Sequence, residues 1–468
     1  MGLEVPYFEK FDELKMIELQ RVYKEKGKVE EEDMISVESI VKNILKKKKL
    51  NGTSTWQEIN EAFANSKKND LIDKYLKNKN IFNLITEEEM DKKIVKEIPT
   101  RKALFLCAQG RLVKNAQIAS YNILVNDDAG AGKDYVTSKA LEMIPEENYI
   151  KKTRISPTVF TYWHNSNYEP GWTWDGKVFY TEDINEVVLN SEVFKVMCSS
   201  GSQATIVIRQ RAVDIDIKGK PVIITTTATA IPSAELTRRF EIINLDESIS
   251  QTEEIMKRHC DYAMKGITPE YNQDIIDIQK ELKRVKVKIP FADKLHILFP
   301  AHSIMMRTKF PRFLDLIKAS TAFHQFQRKV DEEGYYVAEG QDYDIASEVM
   351  RKMMTNKYAV SLTKNQRKIM EHLEAMSDLN KEYCESVTHI REQMNNFISL
   401  PAMVTNLSQL TGYGLVKVKI ETNDYGKEVE KYYLNESIMG GQGVIFPSFL
   451  RLCEQKGEEV KELNPRTT

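Results

Sequence analysis

Several features that mark common protein classes are missing from this sequence of 468 residues. No apolar run approaches the roughly 18 residues of a membrane-spanning helix. The first residues, MGLEVPYFEKFDELK, are charged and lack the hydrophobic region of a signal peptide. The five cysteines never form a CxxC pair and fit no zinc-binding spacing. We therefore expect a cytoplasmic protein, or one of the host cytoplasm if the chain is viral, with no membrane contact.

The chain also lacks a large net charge of either sign. The 67 Lys and Arg residues nearly balance the 69 Asp and Glu residues, which leaves a formal charge of −2. This balance excludes attraction of the whole molecule to a polyanion, so any contact with nucleic acid has to come from local basic groups. The hydrophobic content of 41% and charged content of 29% are typical of a folded, soluble chain.

The residue pattern changes along the chain and predicts five segments. Residues 1–98 are polar and mainly helical. Residues 99–248 alternate short apolar strands with glycine turns and helices, which predicts an α/β sheet. Helical spacing dominates residues 249–357. Residues 358–440 combine short helices with two alternating strands, and residues 441–468 form a tail.

A glycine-rich turn follows the apolar strand at Ile123–Val125, in the sequence DDAGAGKDYVTSKAL. Glycines at a strand-to-helix turn let backbone N–H groups wrap a phosphate, and a lysine there reaches the β- and γ-phosphates of a nucleotide. The residues predicted to bind the nucleotide are Ala129, Gly130, Ala131, Gly132, Lys133, Asp134 and Tyr135. Asp127 replaces the first glycine of the GxxxxGK[ST] pattern, and Asp134 replaces the hydroxyl residue that binds Mg²⁺. We expect ATP and Mg²⁺ as cofactors, with the Asp134 carboxylate as a metal ligand.

A second apolar strand, in KVFYTEDINEV, ends in the acidic pair Glu182 and Asp183. In an ATPase, one such acid positions Mg²⁺ and the other polarises the attacking water. We assign Glu182 to the metal and Asp183 to the water, although the two roles can be exchanged. The next strand, PVIITTTATA, ends in threonines and can present a hydroxyl group to the γ-phosphate.

The motif order continues with Arg-Arg-Phe in ELTRRFEIINLD, and over about residues 100–355 it resembles an AAA+ ATPase. The segment VFKVMCSSGSQATIVIRQRAVDIDIKGKPVIITTT looks like the helix and β-hairpin that precede sensor 1 in superfamily-3 viral helicases and minichromosome maintenance (MCM) helicases. The resemblance implies that the hairpin tip, formed by Arg209, Gln210 and Arg211, contacts DNA in a central channel. An exposed hairpin whose arginines only add solubility is the alternative.

The same resemblance implies further catalytic residues and the surrounding architecture. Thr227 takes the sensor-1 position, where this group often carries asparagine. Arg239 takes the position of the arginine finger, with Arg238 as a neighbour that can substitute, and Arg312 matches the sensor-2 arginine. The implied fold is an α/β AAA+ P-loop ATPase core with a helical lid, a helical N-terminal domain and a C-terminal winged helix.

The function implied by the resemblance is that of a hexameric, ATP-driven DNA helicase. It would translocate on single-stranded DNA in the replication of a virus, a plasmid or an integrated element, with a primase or polymerase as a further partner. One alternative is an AAA+ ATPase that remodels proteins. Another is a replication initiator that binds DNA without hydrolysing ATP, because Asp127 and Asp134 depart from the P-loop pattern.

Overall fold

The computed structural model describes most of the chain beyond residue 67. The described residues are 68–117, 121–127, 130–162, 172–199, 202–208, 211–228, 239–266, 268–299, 306–354, 362–380, 382–412, 415–422, 428–435 and 446–454, with the backbone alone for 161–162, 202–208, 211–217, 378 and 454. Most of the predicted N-terminal domain, together with Ala129, Arg209, Gln210 and Arg238, lies outside them. The chain divides into two compact units, Met1–Ile81 and Phe82–Thr468.

Helices make up much of the described chain. The α-helices are α1 (Ile98–Gln109), α2 (Lys133–Leu141), α3 (Val159–Tyr162), α4 (Glu186–Leu189), α5 (Glu192–Ser199), α6 (Ile249–Lys265), α7 (Gln273–Ile278), α8 (Met306–Phe323), α9 (Gly340–Met354), α10 (Lys364–Leu379), α11 (Val387–Gln393), α12 (Leu400–Gly412) and α13 (Phe449–Glu454). Shorter helical turns lie at Ile72–Leu76, Ile81–Asn83, Leu84–Glu89, Met90–Lys92, Gly110–Leu112, Glu146–Asn148, Gln279–Glu281, Ala292–Lys294, His296–Leu298 and Gln325–Gln327. None of the helices described is long and apolar enough to cross a membrane.

The strands form one large sheet and several small ones. They are β1 (Ile123–Asn126), β2 (Tyr149–Lys152), β3 (Val178–Thr181), β4 (Ser202–Ile208), β5 (Arg211–Ile217), β6 (Val222–Thr227), β7 (Glu241–Ile243), β8 (Val287–Lys288), β9 (Tyr336–Val337), β10 (Glu385–Ser386), β11 (Val416–Thr422) and β12 (Glu428–Leu434). The large sheet has the order β2-β3-β6-β1-β7.

Every pairing in the large sheet is parallel. Ile123 lies opposite both Ile224 and Glu241, which sets the register of β1 against β6 and β7. All residues of β1, β3 and β6 are buried, as expected where helices cover both faces of a parallel sheet. The α/β sheet predicted from the alternation of strands and helices is therefore confirmed.

Aromatic packing holds helices on the two sides of this sheet. The rings of Phe160 and Trp174 lie 5.5 Å apart, and those of Phe160 and Phe179 lie 5.2 Å apart. These residues belong to a buried cluster that also takes in α4 and α5. Elsewhere α1 packs against α8 and α9, with the rings of Phe105 and Phe323 at 5.3 Å.

An antiparallel hairpin stands between the acidic strand β3 and the threonine strand β6 in the chain. Its strands β4 and β5 pair from Ser202 opposite Ile217 to Ile208 opposite Arg211. This register leaves Arg209 and Gln210 as the two residues that join the strands. The predicted hairpin is thus present, with Arg211 as the first residue of β5.

The C-terminal part of the chain has a hydrophobic core of its own. Helices α10, α11 and α12 pack against an antiparallel sheet of order β10-β12-β11. Their shared core includes Ile369, Leu373, Leu407 and Tyr432. Thr363 begins α10 with a capping box, in which its hydroxyl oxygen accepts a hydrogen bond from the Gln366 N–H.

Candidate functional site

The glycine-rich turn after β1 leads directly into the N-terminus of α2. Gly130 has φ +93° and Gly132 has φ +83°, a region that other residues rarely adopt. A Cβ atom at either position would meet no neighbouring atom within 4 Å. Conformation rather than crowding therefore requires glycine here, and the loop presents an open surface beside the first N–H groups of α2.

Lys133 begins α2 and is 5% exposed. In the described part of the chain, no hydrogen bond or ion pair joins its ammonium group to another residue. A lysine ammonium group at the start of a helix, beside a glycine-rich turn, is placed to bind an anion such as a phosphate. The position therefore fits an anion bound beside Gly130 and Gly132, as the predicted phosphate contact requires.

Asp127, which replaces the first glycine of the pattern, has a structural role. Its Oδ2 accepts a hydrogen bond from the Leu245 N–H at 2.6 Å, and its Oδ1 accepts one from the Asn244 amide at 3.2 Å. These contacts tie the end of β1 to the end of β7. Burial is the largest influence on this carboxyl group and raises its pKa to about 6, although both hydrogen bonds oppose the shift.

Three loops at the carboxyl edge of the sheet meet at the hydroxyl group of Thr226. This hydroxyl donates a hydrogen bond to the Asp134 carboxylate in the first turn of α2. It also accepts a hydrogen bond from the Asp183 N–H at 2.8 Å. The P-loop helix, the acidic strand end and the threonine strand end are thus joined by one side chain, which the sequence did not single out from its neighbours.

The other two threonines of β6 face away from this junction. The Thr225 hydroxyl donates to the Thr181 carbonyl at 2.8 Å, and the Thr227 hydroxyl donates to the Ile184 carbonyl at 3.1 Å. Side chains alternate between the two faces of a strand, so only the middle threonine shares a face with Asp134. A sensor role for Thr227 stays a prediction.

The acidic pair follows β3 at the same edge. The Glu182 carboxylate forms an ion pair with Lys151 of β2 at 2.6 Å. Asp183 is exposed and has φ +38°, a strained conformation that is concentrated at functional sites. Burial raises the pKa of the Tyr180 phenol at this edge, and the carboxylates of Asp134 and Glu182 raise it further.

The donor set at this edge fits Mg²⁺ bound together with a nucleotide. Asp134 and Glu182 offer carboxylate oxygens, the ligand type that Mg²⁺ prefers. Among the described residues, no group of three or more His, Cys, Asp or Glu side chains forms a cage that could hold a metal. Mg²⁺ in nucleotide sites usually takes one or two carboxylates and completes its shell with phosphates and water.

The two candidate arginines lie at the opposite, amino edge of the sheet. Arg239 precedes β7, and its Nε donates to the Ser199 hydroxyl at 2.7 Å and the Lys195 carbonyl at 3.1 Å. Arg312 is 2% exposed and pairs with the carboxylate of Glu241, the first residue of β7. Neither arginine is placed at the P-loop of its own chain, so the roles of finger and sensor 2 stay predictions.

Glu241 also pairs with Lys309, which lies one turn before Arg312 on α8. All three side chains are buried. Two cations therefore share one carboxylate, and burial lowers the pKa of Lys309 although Glu241 opposes the shift. This buried triad joins α8 to the amino end of β7.

A cavity of about 370 Å³ opens beside the P-loop. Its walls come from residues 93–97, from the start of α2 and from one side of α6, and they include Ile94, Val95, Tyr135 and Ile255. A mostly apolar pocket of this size beside a phosphate-binding turn suits the nucleoside part of a nucleotide. No pattern in the sequence indicates this pocket, because its walls come from segments that lie far apart in the chain.

Comparison with known protein families agrees with this geometry. Residues 65–288 match the family described as MTBMA_p00010 P-loop domain. The match spans just under half of the chain and includes every residue that lines the cavity. No curated protein matches the chain. The chain therefore contains a P-loop domain, which supports a nucleotide-binding NTPase.

Proposed function

We propose that this protein is an ATP-driven DNA helicase of the AAA+ type that acts as a hexamer on single-stranded DNA. One observation carries the hydrolytic part of the proposal. Lys133, Asp134, the acidic pair and Thr226 converge at one edge of a parallel sheet, beside a cavity that suits a nucleoside. In proteins with an open α/β sheet, ligands bind at the carboxyl edge of the sheet.

The residues at this edge divide the work of phosphoryl transfer. The N–H groups of the turn and the Lys133 ammonium bind the β- and γ-phosphates. The Asp134 and Glu182 carboxylates would hold Mg²⁺, which would neutralise phosphate charge. Asp183 accepts a hydrogen bond from the attacking water and polarises it. Thr226 fixes the position of the Asp134 carboxylate relative to the Asp183 backbone, because its hydroxyl group is hydrogen-bonded to both.

The position of Arg239 supports the proposal that the protein assembles into a ring. Arg239 lies at the amino edge of the sheet, whereas Gly130 and Gly132 lie in the turn at the carboxyl edge. A guanidinium group suits the charge that develops on a transferring phosphoryl group. Arg239 would therefore act on the nucleotide of a neighbouring subunit, and a single chain would hold an incomplete catalytic site.

Contact with DNA is assigned to the hairpin of β4 and β5. Arginines at its tip, Arg209 and Arg211, offer charge to the phosphate backbone without reading sequence, as a translocating motor requires. The folded unit of α10, α11, α12 and β10–β12 has the element order of a winged helix. Its helix α12, LPAMVTNLSQLTG, contains no lysine or arginine, which favours the hairpin as the main contact with phosphates.

The decisive experiment measures ATP hydrolysis and strand displacement by the purified protein, with and without single-stranded DNA. We expect hydrolysis that DNA stimulates, abolished by Lys133→Ala. Replacing Arg209 and Arg211 together by alanine should weaken DNA binding and lower its salt dependence, with basal hydrolysis preserved. A rate of ATP hydrolysis that single-stranded DNA does not change would instead favour a protein-remodelling ATPase. DNA binding without any hydrolysis would favour an initiator, and either result would contradict the helicase proposal.

A further inference from the structure

Residues 446–454, the last described part of the chain, dock in an aromatic groove formed by α8, α9 and the segment before α8, and we call them the strap. The ring of Phe446 lies 5.0 Å from that of Phe313 on α8, and the ring of Phe449 lies 4.8 Å from that of Phe291. Phe446 is 6% exposed. Because packed aromatic rings bury large apolar areas, these two side chains anchor the strap to the rest of the fold.

Helix α9 supplies polar contacts to the strap as well. The Tyr343 hydroxyl donates a hydrogen bond to the Pro447 carbonyl at 3.0 Å, and the Asp344 carboxylate accepts one from the Phe449 N–H at 3.0 Å. At the start of α9, a Cβ atom on Gly340 would overlap the Phe449 ring, so glycine leaves the space that the ring occupies. Directional hydrogen bonds and a matched space together define one docked position of the strap.

The last turn of α9 joins the strap to the carboxyl edge of the large sheet through two adjacent residues. The Arg351 Nη2 donates to the Phe446 carbonyl at 3.0 Å, and the Lys352 Nζ donates to the Asn244 carbonyl at 2.6 Å. Asn244 follows β7, and its amide donates to the Asp127 Oδ1 at 3.2 Å. Contacts therefore lead from the strap to the end of β1, where the glycine-rich turn begins.

We propose that the docked strap increases the affinity of the P-loop for nucleotide by holding the last turn of α9 against the end of β7. Lys352 is the positioning residue, because its contact with Asn244 supports the strand ends beside the glycine-rich turn. Release of the strap removes the Phe446 carbonyl from Arg351, so the last turn of α9 is held less firmly. The inference rests on the proposed nucleotide site and adds a segment that regulates it.

The first test measures the dissociation constant of the slowly hydrolysed analogue ATPγS with Mg²⁺, by calorimetry on the full-length protein. We expect the strap variant Phe446→Ala/Phe449→Ala to bind it roughly tenfold more weakly, a typical size for coupling between two sites. Lys352→Met, which leaves the strap intact but cannot make the hydrogen bond to Asn244, should weaken binding by a similar factor.

Combining the three substitutions distinguishes positioning from a general loss of stability. If the strap acts through Lys352, the combined variant should bind ATPγS no more weakly than either parent, because the second change removes a contact that the first has already disabled. Losses that multiply would show that the two parts act independently, and would overturn the proposal. Unchanged affinity in the strap variant would overturn it too.

Leu450→Ala is the matched control within the strap. Leu450 follows Phe449 directly but is 76% exposed, so its replacement leaves the docked rings in place. This variant should keep the affinity of the wild type, with thermal unfolding as the check on its fold. Weaker binding in it would show that any change in the strap lowers affinity, and would contradict the role of docking.

Hydrogen exchange of the wild-type protein tests the same coupling without a substitution. Coupling of binding free energies is reciprocal, so saturating ATPγS with Mg²⁺ should slow the exchange of strap amides, such as that of Leu452, by roughly tenfold. Exchange that bound nucleotide leaves unchanged would refute the inference, whereas the nucleotide site would stand. If the wild-type protein binds no nucleotide, the proposed function fails and this inference fails with it.

Discussion

Replacing Thr226 by valine removes the hydroxyl group that joins three parts of the candidate site while nearly preserving the shape of the side chain. The hydroxyl donates to the Asp134 carboxylate and accepts from the Asp183 N–H. A hydrogen bond to a charged group contributes about 1.5–3 kcal/mol to stability, and a neutral one contributes about 1 kcal/mol. Asp134 is half-buried and Asp183 is exposed, so water can replace part of both hydrogen bonds in the variant. We therefore expect the free energy of unfolding to fall by about 1–2 kcal/mol.

The effect on turnover should exceed the effect on folding. Without the hydroxyl group, the Asp134 carboxylate and the Asp183 backbone are free to shift relative to the P-loop. Misplacement of catalytic groups by about 1 Å costs on the order of 100-fold in rate. We therefore expect kcat of Thr226→Val to fall by roughly 10- to 100-fold, with ATP binding through Lys133 largely retained.

The neighbouring threonine supplies the matched control. Thr225 is fully buried, and its hydroxyl group donates to the Thr181 carbonyl on the other face of β6. Thr225→Val should lose stability of similar size, measured by denaturant unfolding, yet keep turnover close to that of the wild type. Comparing kcat and unfolding free energy for both variants separates a catalytic effect from a folding effect.

Thr227→Val decides between the structure and the sequence pattern. The sensor-1 resemblance points to Thr227, whereas its hydroxyl group donates to the Ile184 carbonyl. If Thr227→Val abolished hydrolysis and Thr226→Val hydrolysed ATP normally, the reasoning from the hydroxyl contacts would be refuted.

Three other predictions concern stability and assembly. The pKa of Asp127 rises from 3.8 to about 6 on folding. The contribution of this carboxyl group to the free energy of unfolding is therefore greatest below pH 4, and it falls by about 3 kcal/mol as the pH rises through 6. Asp127→Asn should flatten the dependence of unfolding free energy on pH in that window; an unchanged slope would contradict the shift. Glu241→Gln leaves two buried cations unneutralised and should cost about 3–5 kcal/mol, whereas Lys309→Met leaves a one-to-one ion pair and should cost less, as thermal unfolding of both variants would measure. Mixing Arg239→Ala with Lys133→Ala subunits should restore some hydrolysis if the arginine acts across subunits; mixed rings that stay inactive would argue against it.

Local sequence patterns were enough to locate the phosphate-binding turn and the strands around it. Glycines with positive φ, a lysine at a helix start and buried apolar strands depend on interactions among near neighbours in the chain. The hairpin of β4 and β5 was predictable for the same reason, since alternating strands joined by two residues form a local motif. The α/β P-loop core follows from these elements and their order.

Contacts between distant segments could not be read in the same way. Which of three successive threonines faces Asp134 depends on the register of β6 against β1 and β3, and a shift of one residue would exchange the faces. The burial of Arg312 beside Glu241 depends on how α8 packs on β7. The cavity requires residues 93–97, α2 and α6 to lie together in the fold, and nothing in the spacing of these residues along the chain encodes that contact.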